Sequence, residues 1–307
     1  MQNAVEATKP NSGSPDPIAT HEEQDWPFGL RRSTPVIGAE ITGIDVGEPL
    51  SDEVYTALRR ALVKYKVLFF RGQDITPAQH VAAARRFGEL ECHPVFDSHP
   101  DHPELVTFNK SENIKGRENI YHSDVSWREI PSMGSMLRCV ECPDAGGDTI
   151  WVNMAAAFAN LPDAVKSRIV HMQAFHDAYP MFARRAQGAE LQALRAKYPP
   201  MLHPVARTHP ESGEKILFVN QAFTTHLSNF TEAQEFPSGF DMRCCESEFL
   251  QYLLRQAALP EYQVRLKWEP NTIAFWDNRS TQHYAIQDYY PAVRRMMRAT
   301  IIGDRPF

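Results

Sequence analysis

The chain has 307 residues, with 32 Lys plus Arg against 38 Asp plus Glu, a net charge of −6 and 43% apolar residues. That length and apolar content can bury a sizeable core, while an acidic balance without a long basic run argues against nucleic acid as a partner. Apolar runs no longer than a strand, and an N-terminus with neither a charged nor an apolar leader region, argue against a membrane span and predict a cytoplasmic protein.

Residues 1–27 are rich in Pro, Ser, Asn, Glu and Thr with little periodic hydrophobicity, which predicts a disordered N-terminal arm ahead of a single domain over 28–307. From Val36 to Val46 the chain alternates as a strand punctuated by glycines. Ser51, followed by Asp52 and Glu53, caps a helix to about Tyr65, and Lys66–Phe70 reads as a buried strand. Thr76-Pro77-Ala78-Gln79 is a capping box with proline at the first helical position, and Gly88 supplies the stop. His93 follows directly, whereas His99 and His102 lie among Pro100 and Pro103 and are expected in solvent.

Met136–Val140 and Asp148–Val152 flank the turn residues Asp144-Ala145-Gly146-Gly147, a pattern that predicts a hairpin. Cys139 and Cys142 have CxxC spacing, but the only other pair, Cys244-Cys245, is vicinal. Five cysteines without an export signal are therefore expected as reduced, apolar thiols. Residues 154–173 look helical. The charged segment from Phe182 to Tyr198, closed by Pro199-Pro200, reads as an insertion that is either a lid or a solvated helical face. Strands are expected near 203–210, 215–220, 264–268, 272–276 and 296–302, with a helix near 246–258. Many short strands with Gly/Pro turns and no βαβ alternation predict a mainly β fold with helical decoration, a sandwich or jelly roll.

Tyr121-His122-Ser123-Asp124 places a histidine and a carboxylate two residues apart, so on an extended strand both would leave the same face. A second, distant histidine would complete a 2-His-1-carboxylate iron site, and His283, beyond the exit of the 272–276 strand, is the candidate. His-x-Asp by itself is a common pattern in unrelated proteins. Arg294 and Arg298 would share one face of the last strand, with Arg295 on the other. Two inward arginines need anions, either buried carboxylates of the protein or ligand oxyanions.

With His122-x-Asp124, Gly146-Gly147-Asp148-Thr149, the run Trp276-Asp277-Asn278-Arg279 leading to His283, and Arg294 with Arg298 before Gly303–Phe307, the chain resembles the taurine dioxygenase and 2,4-dichlorophenoxyacetate dioxygenase family from about Gly38 to Phe307. The resemblance implies a double-stranded β-helix and a homo-oligomer, a dimer or tetramer. It implies Fe(II) on His122, Asp124 and His283, with 2-oxoglutarate and O2 as co-substrates, and the far carboxylate of 2-oxoglutarate on Thr149 and Arg294. It further implies a small anionic organic substrate gripped by His93 and Arg298, with Val125, Phe96, Phe182 and Phe223 nearby. Its expected chemistry is hydroxylation of an alkylsulfonate or alkyl sulfate ester with release of sulfite or sulfate. Glu118 and Phe96 stand where the taurine enzyme has an asparagine and a tyrosine near the substrate amine, and Tyr121 stands where it has a tryptophan. Two versions stay open: Glu118 binds an ammonium, which would favour an amino-acid-like substrate, or it faces solvent. An aryloxy or other carboxylate is the alternative substrate class.

Overall fold

The computed structural model describes residues 25–111, 118–182, 188–230 and 242–307. In chain order its strands are β1 (Gly29–Arg32), β2 (Ala39–Thr42), β3 (Val67–Phe70), β4 (Ser98–His99), β5 (His102–Lys110), β6 (Ser132–Glu141), β7 (Thr149–Asn153) and β8 (Gln173–His176). They continue with β9 (Met201–Pro204), β10 (Ala206–Thr208), β11 (Lys215–Leu217), β12 (Thr224–Leu227), β13 (Gln263–Leu266), β14 (Ile273–Asp277), β15 (Thr281–Ala285) and β16 (Arg294–Ile302). The helices are α1 (Asp52–Tyr65), α2 (Pro77–Arg85), α3 (Met154–Ala159), α4 (Asp163–Ile169), α5 (Tyr179–Phe182), α6 (Ala189–Lys197) and α7 (Met242–Arg255).

The major sheet runs β1-β2-β3-β14-β6-β16-β5-β4, antiparallel except between β2 and β3. The minor sheet is β13-β7-β15, extended past β15 by a single bridge between His122 and His283. Together they form the jelly roll. Because side chains alternate along a strand, the central strands are buried on both faces. In β3 and β14, Leu68, Phe70, Ile273 and Phe275 point to one side, where Leu58 and Leu62 of α1 and Val81 and Ala84 of α2 cover them. Val67, Phe69, Ala274 and Trp276 point to the other, against Trp151, Val264, Leu266 and Trp268 of the minor sheet and its edge.

Both helix starts follow from local chemistry. Ser51 Oγ accepts the Val54 N–H, and Thr76 with Gln79 makes the full capping box with Pro77 in the first turn. Some expectations differ. β6 and β7 do not form a hairpin: both edges of β6 are taken by β14 and β16, and β7 joins β13 and β15 in the other sheet. Gly146 and Gly147, with φ +82° and +70°, carry the chain across. A Cβ on Gly146 would lie 2.6 Å from Asp288 Oδ1, and one on Gly147 3.2 Å from Arg294 Cδ. The 154–173 helix is two helices, α3 and α4, broken at Pro162, and β8 begins at Gln173. His283 lies beyond the exit of β14, as expected, in the middle of the next strand, β15.

Of the expected arm, residues 1–24 lie outside the described residues, and Trp26 stacks on Phe28 at 5.8 Å between ring centroids. In the 182–198 insertion, residues 183–187 lie outside them too. Leu194 of α6 and Tyr198 pack against Val125, Trp127, Phe182 and Phe223. Among the described residues no helix is long and apolar enough to cross a membrane.

Candidate active site

His122 and His283 meet because their backbones pair: the His122 N–H donates to His283 O (3.1 Å) and the His283 N–H to His122 O (2.8 Å), with the rings 4.1 Å apart. His-x-Asp is not a strand pair as the spacing alone predicted. His122 occupies an isolated bridge and the chain turns at Asp124, with Val125 at φ +46°. The turn still delivers convergence. Asp124 Oδ1 lies 3.9 Å from Nε2 of each histidine, and the three ligand atoms all lie within 4.8 Å of one another.

The donor set suits a divalent transition metal with open positions, since two imidazoles and one carboxylate occupy one side only. The Nδ1–H of His122 donates to Ile120 O (2.7 Å), which leaves Nε2 as the lone pair facing the cluster. Burial and the neighbouring His122 keep His283 well below its usual range and so neutral, the form that ligates. Burial alone would raise the Asp124 carboxyl. Arg298, with the Ser135 hydroxyl, outweighs it and holds Asp124 ionised. Ser135 Oγ donates to Oδ2 (3.1 Å) and Arg298 Nη1 to Oδ1 (2.8 Å).

One cavity opens onto these ligands, and every residue named from the sequence lines it: His93, Phe96, Glu118, Val125, Thr149, Phe182, Phe223, Arg294 and Arg298. Strand alternation on β16 puts Arg294 and Arg298 inward while Arg295 pairs outside with Glu141 (2.5 Å). Arg294 Nη2 lies 3.5 Å from Thr149 Oγ1, which also accepts the Trp268 Nε1–H at 3.0 Å. Trp268 and Tyr289 each place a ring 5.8 Å from the Arg294 guanidinium, and Arg298 sits 5.2 Å over Phe108. Both arginines also keep a buried Nε without an acceptor among the described residues. Nδ1 of His93 accepts the Val95 and Phe96 N–H groups (3.2 Å each), so its proton sits on Nε2.

Glu118 does not face solvent. It lines the cavity and accepts from Lys110 Nζ (3.1 Å) and Gln287 Nε2 (3.4 Å). Residues 112–117 before it lie outside the described residues. Sequence reading missed Lys110, Ser135, Trp268 and Gln287. Nothing local distinguishes them, although Lys110 and Trp268 end strand-like runs.

The fold and the His-Asp-His cluster have the donor set of a metal-dependent oxygenase. A family model described as "Taurine catabolism dioxygenase TauD, TfdA family" matches residues 29–300, and the chain belongs to that family. It is 32% identical over 279 residues to the alpha-ketoglutarate-dependent sulfate ester dioxygenase of Pseudomonas putida, covering 88% of each chain. It is 32% identical over 290 residues to an alkylsulfatase of Acinetobacter baylyi, covering 90% of this chain and 85% of that one. A crystal structure of a taurine dioxygenase from Burkholderia xenovorans superposes with a TM-score of 0.75 at 32% identity, covering 91% of this chain and 90% of the other. The chain is a 2-oxoglutarate-dependent dioxygenase.

Proposed function

We propose that the protein hydroxylates a small organic sulfate ester or sulfonate at the carbon bearing the oxyanion group, using Fe(II), 2-oxoglutarate and O2. The observation that carries this is the pair of buried inward arginines in one cavity, one beside Thr149 and the other beside the ligand Asp124 and in the same cavity as His93. One guanidinium suits the far carboxylate of 2-oxoglutarate and the other a substrate oxyanion, since the planar fork matches both. The names of the sulfate ester and alkylsulfatase relatives support the substrate class.

In this reading His122, Asp124 and His283 hold Fe(II), which with 2-oxoglutarate and O2 supplies the oxidising power for C–H hydroxylation, with succinate and CO2 as co-products. Thr149 and Arg294 orient the co-substrate. His93, through Nε2–H, and Arg298 orient the substrate anion. Phe96, Val125, Phe182 and Phe223 exclude water and contact an apolar tail. A carbon that carries both a hydroxyl and a sulfate ester or sulfonate collapses to an aldehyde, with sulfate or sulfite leaving. An aryloxy carboxylate also fits a guanidinium facing aromatic walls, and is the second reading. Because Glu118 already has Lys110 as counter-ion, an amino-acid-like substrate is less well supported.

The test is succinate formation by anaerobically reconstituted Fe(II) protein over alkyl sulfates, alkylsulfonates, 2-aminoethanesulfonate and aryloxy acids, with sulfate and sulfite assayed in parallel. Turnover with sulfate or sulfite release is expected. Turnover on carboxylates alone would replace the substrate class, and no succinate with any of them would sink the proposal. The homo-oligomer is part of this reading, and light scattering on the eluted protein would give the mass of one chain if it is wrong.

A further inference from the structure

The run at the end of β14 contains a residue that dioxygenase chemistry leaves without a task. Asn278 is 1% exposed and does not line the active-site cavity. We propose that Asn278 is a positioning residue for the metal site, its side-chain amide gripping both backbone polar groups of Asp124 and so setting the direction in which that carboxylate leaves the chain. The inference rests on the reading that His122, Asp124 and His283 hold the metal.

The Asp124 N–H donates to Asn278 Oδ1 (2.6 Å), and Asn278 Nδ2 donates back to Asp124 O (2.9 Å). Asp124 thus makes with one side chain the two bonds that a strand residue would make with a neighbouring strand. The amide is itself anchored: one Nδ2 N–H is shared with Ser132, whose Oγ lies 2.9 Å and whose O lies 3.2 Å from Nδ2, and the Asn278 backbone N–H donates to Met133 O (2.9 Å). The start of β6, the end of β14 and the ligand turn are therefore tied at one point.

The turn needs such a tie. Val125 at φ +46° is a β-branched residue in the left-handed region, a strained conformation that persists only where the surroundings over-determine it. On the other side of Asp124 the chain is held too, by Ser123 Oγ donating to Thr281 O (2.8 Å) and by the His122–His283 backbone pair. With both sides tied, the Asp124 Cα–Cβ direction has little freedom. An asparagine supplies one acceptor and two donors at this reach. Aspartate would keep the acceptor but set an oxygen against Asp124 O and Ser132 O. Alanine would leave the Asp124 N–H and C=O buried without these partners.

The test is anaerobic titration of the metal-free chain with Mn(II) alone, free ion being read by electron paramagnetic resonance well below the melting temperature of each variant. Asn278→Asp and Asn278→Ala are expected to raise the Mn(II) Kd by about 10- to 100-fold, the range for residues that orient a ligand from behind. Ser132→Ala, which removes one anchor of the amide and a long hydroxyl contact to Asp124 O (3.5 Å) but keeps both Asp124–Asn278 bonds, is expected to raise it by about threefold. A purely structural role would lower the melting temperature and leave the affinity of the folded protein unchanged. Wild-type affinity in a folded Asn278 variant overturns the proposal, as does wild-type affinity in Ser132→Ala should neither Asn278 variant fold. His122→Ala separates the two readings: if it binds Mn(II) as tightly as wild type, the three-ligand site itself is wrong.

Discussion

Arg294→Met separates the two guanidinium roles. Arg294 is 6% exposed on the inward side of β16, with Nη2 near Thr149 and a buried Nε without an acceptor among the described residues. Burial lowers its pKa, so desolvation is the largest influence on this group, and methionine removes that cost while keeping an unbranched apolar stem of similar reach. The co-substrate-free protein should therefore lose little stability. A charged hydrogen bond contributes about 1.5–3 kcal/mol, and a fork that meets a carboxylate with two of them sits at the upper end. Taking about 3 kcal/mol, the 2-oxoglutarate Kd rises about 100-fold. The assay is anaerobic titration followed by intrinsic fluorescence, since Trp268 and Trp151 flank this end of the cavity, with succinate formation as the second readout. Arg298→Met should raise substrate KM on a similar scale and, because it also removes the partner of Asp124 Oδ1, weaken metal binding; at saturating Fe(II) its effect on 2-oxoglutarate Kd should stay well below that of Arg294→Met. If Arg294→Met bound 2-oxoglutarate like wild type, or Arg298→Met carried the loss, the division of labour between the two arginines would be wrong.

Gly147→Ala places a methyl 3.2 Å from both Arg294 Cδ and Tyr289 Cδ1 at φ +70°, a backbone region costing an L-residue about 1–2 kcal/mol. It should weaken 2-oxoglutarate more than substrate, and equal effects in the same two titrations would count against it. Asp277, fully buried, accepts from His209 Nε2 (2.9 Å) and from Arg279 Nε (2.9 Å) and Nη2 (2.7 Å). Asp277→Asn leaves Arg279 with Glu211 (2.6 Å) as its remaining carboxylate partner, and denaturant unfolding should show a loss of about 1.5–3 kcal/mol, a loss under about 0.5 kcal/mol contradicting the network. His80, fully buried with Nε2 on Met136 O (3.0 Å), is lowered from 6.5 to about 4, burial being the main cause. Its folded pKa lies below its unfolded one, so the unfolded chain binds more protons between these values. Stability is full above about 6.5 and falls toward 4, by about 2 kcal/mol at pH 5 from this residue. Unfolding curves for wild type and His80→Asn at pH 7 and pH 5 measure it, and an equal pH slope in the two would refute the assignment.

Relations among near neighbours in the chain are legible in the sequence by itself. The caps at Ser51 and Thr76 depend on atoms within one helical turn, and the inward pairing of Arg294 and Arg298 depends only on the two-residue period of a strand. The family motifs likewise name the three ligand candidates and the residues that line one cavity.

What crosses between distant segments was decided only by the tertiary structure. Asp144–Gly147 suits a hairpin as well as a crossing, and the choice fell to the crossing because β14 and β16 occupy both edges of β6. Glu118 could have faced solvent or substrate, and its pairing with Lys110 depends on β5 lying beside the segment that leads to His122. The ligand geometry is of the same kind. His122 and His283 sit opposite each other through backbone register, and Asp124 points at both because a residue remote in sequence, Asn278, holds its backbone. Sequence patterns report local periodicity and residue chemistry, whereas register and edge occupancy are set by packing among all the strands at once.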